Sequence, residues 1–168
     1  MHLPATLLKK DGTTVDTSSA LAGKVVALYF SASWCGACRS FTPILHALYD
    51  EAADHERPFE VVFVSSDNSA EATRSYMNKE HGDWLCVAYD DPIREELKKV
   101  HGAFAGAEAR KFPGARRVSG IPTLVLVDPQ GRKLEHLDCD GGPGLALIRR
   151  KGVGVIDDWV KHAWPSAN

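Results

Sequence analysis

The sequence predicts an α/β fold with a central mixed β-sheet flanked by helices on both faces. Two continuous apolar runs, at 25–30 and 61–64, contain no alternating polar positions. Runs of this kind are typical of strands buried on both faces of a sheet. The chain order is strand–helix–strand in the first half and hairpin–helix at the end. This order favours a mixed sheet with helices on each side.

Hydrophobic periodicity and turn signals predict the individual elements. Asp11-Gly12 marks a hairpin turn, Asp91 is a plausible cap for the helix that follows it, and Pro43 should kink the long helix in which it lies. In chain order the predicted elements are a hairpin at about 6–16, a helical turn at 18–21, a strand at 24–31, a helix from about 35 to 54, a strand at 59–65, a helix at 69–80, a strand at 84–87, a helix at 92–100, a hairpin of 123–127 with 133–137, and a helix at 155–162.

Two segments carry no clear periodicity. Residues 140–144 are predicted to be a loop, and 101–119 a loop or a short helix plus loop. The longer segment contains four basic residues, Arg110, Lys111, Arg116 and Arg117. A solvated insertion is the plainer interpretation of it, and a role at the border of a functional site is the alternative.

Length and charge exclude several classes of protein. A chain of 168 residues fits one domain, expected to span 1–168 with its core at about 20–165. A net charge of −2 is too small to indicate nucleic acid or an acidic surface as the main partner. The sequence contains no run of eighteen or more apolar residues, the length that would indicate a membrane span. The first ten residues show no basic-then-apolar leader, so a cytoplasmic location is expected.

The four cysteines point to redox chemistry rather than to a disulfide scaffold. Cys35 and Cys38 are separated by two residues, a spacing used for metal binding or for redox exchange. A zinc site needs two further ligands, and Cys86 and Cys139 are isolated in the sequence. Cys86 lies in an apolar strand and is expected in the core. Cys139, between two aspartates, is expected to be a poor nucleophile and an exposed thiol open to oxidation.

The dithiol lies where a buried strand changes to a helix. The first turn of a helix has free amide N–H groups and a positive dipole end, which stabilise a thiolate. Cys35 should therefore be the nucleophile, and Cys38, one turn further on, should resolve the mixed disulfide. The uncharged pair Gly36-Ala37 between them favours a reductant. No bound cofactor and no metal are expected, only a redox-active disulfide between Cys35 and Cys38.

The chain resembles the thioredoxin superfamily and, within it, the tryparedoxin and nucleoredoxin branch. The resemblance covers about residues 20–165. The matching residues are Tyr29-Phe30-Ser31-Ala32-Ser33-Trp34-Cys35, Cys38-Arg39, Phe41-Thr42-Pro43, Glu60-Val61-Val62-Phe63-Val64-Ser65-Ser66-Asp67, Trp84-Leu85 and Gly120-Ile121-Pro122-Thr123-Leu124.

The resemblance implies a thioredoxin fold and a substrate-docking surface. It implies a cis peptide bond before Pro122, with this proline packed against the dithiol and the Ile121 backbone offering hydrogen bonds to a substrate. Trp34 should shape the docking surface together with Gly36 and Ala37. Where thioredoxin has a buried carboxylate, this chain has Tyr29, so the proton of Cys38 would need water or another group. Tyr29 as a simple core aromatic is an equally open alternative.

The resemblance also implies a function and partners. We expect a thiol–disulfide oxidoreductase that reduces client proteins such as peroxiredoxin-type peroxidases. A low-molecular-weight dithiol such as trypanothione, or a reductase, would donate the electrons, with no nucleic acid or membrane partner. The alternative is a redox-sensing adaptor of nucleoredoxin type with little turnover. Asp67 and Arg39 are expected to be surface or capping residues.

Overall fold

A computed structural model describes residues 3–165, and the fold is given for these residues. The elements in chain order are β1 (Thr6–Leu8), β2 (Thr14–Asp16), α1 (Thr17–Leu21), β3 (Val25–Ser31), α2 (Gly36–Asp54), β4 (Phe59–Ser65), α3 (Ala70–Glu80), β5 (Leu85–Cys86), α4 (Ile93–His101), a 3₁₀ helix (Gly106–Lys111), β6 (Thr123–Val127), β7 (Lys133–Asp138), α5 (Pro143–Lys151) and α6 (Gly154–Ala163). None of the helices in this range is both long and apolar enough to cross a membrane.

The strands form one mixed sheet in the order β2-β1-β5-β4-β3-β6-β7. The interior strand β3 pairs in parallel with β4, with Ser31 opposite Ser65. On its other side β3 pairs antiparallel with β6, with Phe30 opposite Thr123. The ends of β3 and β4 and the beginning of β6 therefore meet at one edge of the sheet.

The core occupies both faces of this sheet. Every residue of β3 and β4 is buried, as the two continuous apolar runs predict. Successive side chains of a strand point to opposite faces. One face packs against α2, α3, α5 and α6 through residues that include Phe41, Leu45, Tyr76, Ile148 and Trp159. The other face packs against α1, α4 and the start of the following segment through Leu21, Leu97, Ala103 and Ala105.

The region after β7 departs from the sequence prediction. The predicted loop 140–144 is wrong at its end, because α5 begins at Pro143. Proline is well tolerated at the first helical position, where its missing N–H costs no hydrogen bond. Glycines on both sides of Pro143 made the start of this helix resemble a loop in the sequence. The prediction of Asp91 as the cap of α4 is wrong by one position, because the helix begins at Ile93 and Pro92 is its N-cap. The Asp91 carboxylate still accepts a hydrogen bond from Ile93 N at 2.9 Å.

The segment 102–119 is not a solvated insertion. Phe104, Glu108 and Phe112 of this segment are buried, and the rings of Phe104 and Phe112 lie 5.1 Å apart. Its two ends are joined because Gly102 O accepts hydrogen bonds from Val118 N and Ser119 N. Gly102 has φ +61°, and a Cβ there would lie 2.3 Å from Arg116 O, so glycine is required for this closure.

Candidate active site

Cys35 is the residue that caps the N-terminus of α2. Its backbone is extended, and its Sγ accepts a hydrogen bond from Cys38 N at 3.2 Å. The sulfur thus satisfies one of the amide groups that the first turn of a helix leaves free. Cys35 is 9% exposed and Cys38 is fully buried, and both are free thiols. An attacking thiolate at the surface with a second thiol behind it is the arrangement that disulfide exchange requires.

Pro122 lies at the same edge of the sheet. The antiparallel pairing of β6 with β3 brings the residues before Thr123 next to the end of β3. The Ile121–Pro122 peptide bond is cis, as the resemblance implies. The Cys35 thiol donates to Ile121 O across 3.7 Å. The two motifs that are 86 positions apart in sequence therefore form one site.

Trp34 borders an open cleft beside Cys35, whereas Gly36 and Ala37 are not among the residues that line it. Trp34 is 50% exposed, and its indole Nε1 donates to Ser66 O at 3.0 Å. Gly36 is exposed with open space around it, and Ala37 is half-buried. The cleft, of about 510 Å³, is lined by Trp34, Cys35, Ile121 and parts of the 102–119 segment. An exposed aromatic beside the reactive sulfur can pack against a bound polypeptide.

Cys38 faces a cluster of buried hydroxyl groups. Burial and a hydrogen bond with Cys35 raise the pKa of Cys38 above its ordinary value, while the Ser31 hydroxyl and the Ala32 amide act in the opposite direction. Ser31 Oγ is 2.9 Å from Tyr76 Oη, which is 2.7 Å from Thr42 Oγ1. The Ser31 hydroxyl is therefore placed to assist loss of the Cys38 proton.

Tyr29 takes part in this cluster and also packs in the core. Its hydroxyl is 2.7 Å from Thr42 Oγ1, and its ring contacts those of Phe41 and Trp84. Burial raises the pKa of Tyr29 well above its ordinary value, so the hydroxyl stays neutral. Tyr29 is therefore a core aromatic with a partnered hydroxyl, which agrees with the core interpretation.

Asp67 is not the surface residue that the sequence suggested. It is 4% exposed, and its Oδ1 accepts hydrogen bonds from Ser33 N and Ser33 Oγ. Its Oδ2 accepts from Ser65 Oγ at 3.0 Å. Asp67 therefore fixes the loop that leads into Trp34 and Cys35. The sequence carried a signal for this contact, because Ser33 and Asp67 each follow a predicted strand and neighbouring parallel strands end at the same edge of a sheet.

Glu108 is a second residue that the sequence did not identify. Its Oε1 lies 2.5 Å from Lys98 Nζ, and the two side chains are 8% and 1% exposed. Its Oε2 accepts from Ser66 Oγ at 2.7 Å and from Ala105 N at 2.9 Å. Because Ser66 also binds Trp34, this ion pair connects the 102–119 segment to the active-site loop.

The remaining candidates lie apart from this chemistry. Arg39 is exposed and pairs with Glu80 at 3.3 Å, as expected of a surface residue. Cys86 is in the core, where burial raises its pKa to about 12. The expectation of an exposed Cys139 is wrong, because it is 1% exposed, and burial raises its pKa to about 12. Within residues 3–165 no group of three or more His, Cys, Asp or Glu side chains is arranged to hold a metal ion.

Comparison with known proteins decides the family. A family model described as thioredoxin-like matches residues 23–133. The chain belongs to the thioredoxin-like family. A curated relative, probable nucleoredoxin 1 of Arabidopsis thaliana, is 35% identical over 160 residues, which is 95% of this chain and 22% of the relative. This chain spans about a quarter of the length of the curated nucleoredoxins that it matches.

Solved structures of the thioredoxin-like family agree with this assignment. Tryparedoxin from Trypanosoma brucei is 30% identical with a TM-score of 0.69, and the match covers 94% of each chain. A tryparedoxin II solved in complex with glutathionylspermidine is 28% identical with a TM-score of 0.65, covering 99% of this chain and 94% of the other. The fold is therefore the thioredoxin fold, and the branch is tryparedoxin- and nucleoredoxin-like, as the sequence motifs predict. The Cys35–Cys38 pair fits the Cys-x-x-Cys motif of these thiol oxidoreductases.

Proposed function

We propose that this chain reduces disulfides of client proteins through Cys35 and Cys38. The observation that carries the proposal is the position of Cys35 Sγ, which receives the Cys38 amide hydrogen bond and opens onto a cleft beside Ile121 and Pro122. The thiolate is the reactive form of cysteine in disulfide exchange.

The reaction has two exchange steps. The Cys35 thiolate attacks one sulfur of the client disulfide, so that the client S–S bond breaks and a mixed disulfide forms. The released client thiolate takes a proton from solvent. Cys38 then loses its proton, attacks Cys35 Sγ and releases the second client thiol, leaving a Cys35–Cys38 disulfide. Two electrons pass to the client, and an external dithiol returns them. Ser31 is the hydroxyl placed to assist the proton loss of Cys38.

The proposal includes the partners and the setting. Clients would include peroxiredoxin-type peroxidases, and the electron donor would be a low-molecular-weight dithiol such as trypanothione, or a reductase. The glutathionylspermidine complex of the related tryparedoxin II supports a small thiol as donor. The Cys35–Cys38 disulfide would be the only redox group, and the location would be cytoplasmic, with no nucleic acid or membrane partner.

Insulin reduction with dithiothreitol as donor tests the activity. We expect turnover by the native protein, complete loss in Cys35→Ser, and severe loss in Cys38→Ser. Cys86→Ala is the matched control, because it removes a buried thiol outside the site. Turnover that survives Cys35→Ser would refute the proposal. The Cys38→Ser variant should also trap clients as mixed disulfides on Cys35, and mass spectrometry of these adducts would identify them.

The adaptor of nucleoredoxin type is the competing function. It predicts that the native protein reduces insulin no faster than dithiothreitol alone. It also predicts that a Cys35→Ser/Cys38→Ser double variant binds its partner as well as the native protein does. That combination of results would replace the reductase proposal.

A further inference from the structure

The 102–119 segment carries a cluster of positive charge, and part of the segment lines the cleft that contains Cys35. Four of its residues are exposed cations, Arg110, Lys111, Arg116 and Arg117. None of them forms an ion pair within the described part of the chain. The single carboxylate of the segment, Glu108, is buried and already paired with Lys98. In a chain of net charge −2, this positive charge is local to the segment.

The segment holds these cations in a fixed place. Hydrogen bonds from Val118 N and Ser119 N to Gly102 O close its base, and the Phe104 and Phe112 rings pack inside it. The ion pair between Glu108 and Lys98 anchors the segment to helix α4. Charges on an ordered segment act on a partner at a defined position, since little entropy is lost when they are engaged.

Arg117 brings the charge into the cleft that contains Cys35. Its Nε donates to Phe104 O at 2.8 Å, which directs the guanidinium group. A Cβ on Gly120 would lie 2.6 Å from Arg117 Nη2, so the guanidinium lies directly over the Gly120 backbone, next to Ile121. Arg117 and Cys35 line the same cleft. A polypeptide bound beside Ile121 would therefore pass this cation.

The other residues that line the cleft indicate further properties of a protein that would bind there. Trp34 and Val118 are 50% and 59% exposed and offer apolar contact. Asp138 and Asp140 also line the cleft and give it a negative region. The cleft is therefore polarised, and a partner with carboxylates on one side of its disulfide fits it in one orientation.

We propose that Arg110, Lys111, Arg116 and Arg117 form a docking surface for client proteins whose reactive disulfide is flanked by Asp or Glu residues. This inference rests on the proposed reductase function and specifies its substrate class. Complementary charge raises the rate of productive encounter and fixes the orientation of the partner, and its effect weakens as salt screens it.

Two synthetic disulfide-bonded peptides test the surface directly. They share the same cysteine-bridged loop and differ only in the flanking residues, which are Asp and Glu in one and Lys in the other. At low ionic strength we expect kcat/KM to be about tenfold higher for the acidic peptide. At about 0.5 M salt the ratio should fall to about twofold or less. Insulin reduction by the same preparation is measured in parallel.

Charge reversal locates the effect. Arg110→Glu/Lys111→Glu/Arg116→Glu should abolish or invert the preference for the acidic peptide. The matched control is Lys9→Glu/Lys133→Glu/Lys161→Glu, which changes the net charge equally at exposed lysines outside the cleft, and it should keep the preference. Reduction of the uncharged 2-hydroxyethyl disulfide by each variant reports on the intact dithiol.

The possible outcomes separate the two proposals. Equal rates for both peptides, with insulin reduction intact, would overturn the docking surface and leave the reductase function standing. An equal loss of preference in both triple variants would attribute the effect to net charge and overturn the local surface. Failure of the native protein to reduce insulin and either peptide would refute the reductase function, and the docking proposal with it.

Discussion

Asp67 Oδ1 accepts hydrogen bonds from both the amide and the hydroxyl of Ser33, at 2.8 and 2.6 Å. Ser33 immediately precedes Trp34 and Cys35, so a carboxylate at the end of β4 sets the position of the loop at the end of β3. The parallel register that places Ser31 opposite Ser65 makes this contact possible. The reactive cysteine is therefore positioned by a neighbouring strand as well as by its own helix.

Replacement of Asp67 should impair turnover as well as stability. Asp67→Ala leaves the Ser33 amide without its acceptor, which should lower the free energy of unfolding by about 1–3 kcal/mol. Displacement of the Cys35 loop should lower kcat/KM for insulin by about tenfold. Ser33→Ala is the control, because it removes only the hydroxyl contact and should have a smaller effect on both quantities. Activity unchanged in Asp67→Ala would contradict this role.

The four thiols should differ sharply in reactivity. Iodoacetamide at pH 7 should alkylate Cys35 in the reduced native protein and leave the other three unmodified. Cys86 and Cys139 are buried with pKa values of about 12, and burial also raises the pKa of Cys38. Peptide mapping after timed alkylation measures this. In urea all four should react at similar rates, and fast modification of Cys139 in the native state would disagree with its burial.

Loss of the Ser31 hydroxyl should slow resolution of the mixed disulfide. Ser31→Ala removes a hydroxyl that lowers the pKa of Cys38 and that bonds Tyr76 Oη. We expect the mixed disulfide on Cys35 to persist several-fold longer in quenched-flow experiments, while alkylation of Cys35 keeps its native rate. Tyr29→Phe removes a hydroxyl that bonds Thr42 Oγ1 rather than the Cys38 thiol, and it should affect resolution less. An equal effect of both variants would argue against a specific role for Ser31.

His81 should make the protein less stable in acid. Burial, the largest cause, lowers its pKa from 6.5 to about 3. Between these values the unfolded chain binds a proton that the folded chain does not. Stability should therefore fall as pH falls from about 6.5 to 3, with a smaller contribution from His101, whose pKa burial lowers to about 4.

Substitution of His81 tests this assignment. His81→Phe should reduce the pH dependence of urea unfolding across that window. It should also lower stability at pH 7 by about 1–3 kcal/mol, because Trp84 Nε1 loses its acceptor at His81 Nδ1. His55→Gln, at an exposed position, is the control and should leave the pH dependence unchanged. The same slope in His81→Phe and in the native protein would exclude His81 as the source.

The Lys98–Glu108 pair should show strong coupling. Glu108→Gln leaves the Lys98 ammonium buried without a counter-charge, which should cost about 3–5 kcal/mol in urea unfolding. Lys98→Met/Glu108→Gln removes both charges and should recover most of that loss. Lys99→Met, in an exposed pair with Glu96, should cost about 1 kcal/mol or less. If the stability lost in Lys98→Met/Glu108→Gln equalled the sum of the losses in the two single variants, that result would contradict the coupling.

Local patterns in the sequence predicted the strands, most helices and the positions of the reactive residues. Buried strands, helical periodicity and turn residues act over a few positions, so β3, β4, α2 and the β6–β7 hairpin appear where the sequence predicts them. The cis bond before Pro122 agrees with the family motif. The α5 helix was not predicted, because its short apolar face lies between glycines.

The sequence by itself predicted which residues carry the chemistry, since the strand-to-helix junction places Cys35 and Cys38 by local rules alone. Only the tertiary structure decided which groups hold them in position. Asp67 reaches Ser33 across 34 positions, and Glu108 reaches Ser66 across 42. A polar side chain is buried only when packing supplies partners from distant segments, and the sequence around it does not contain that information. For the same reason the burial of Cys139 became known only from the fold.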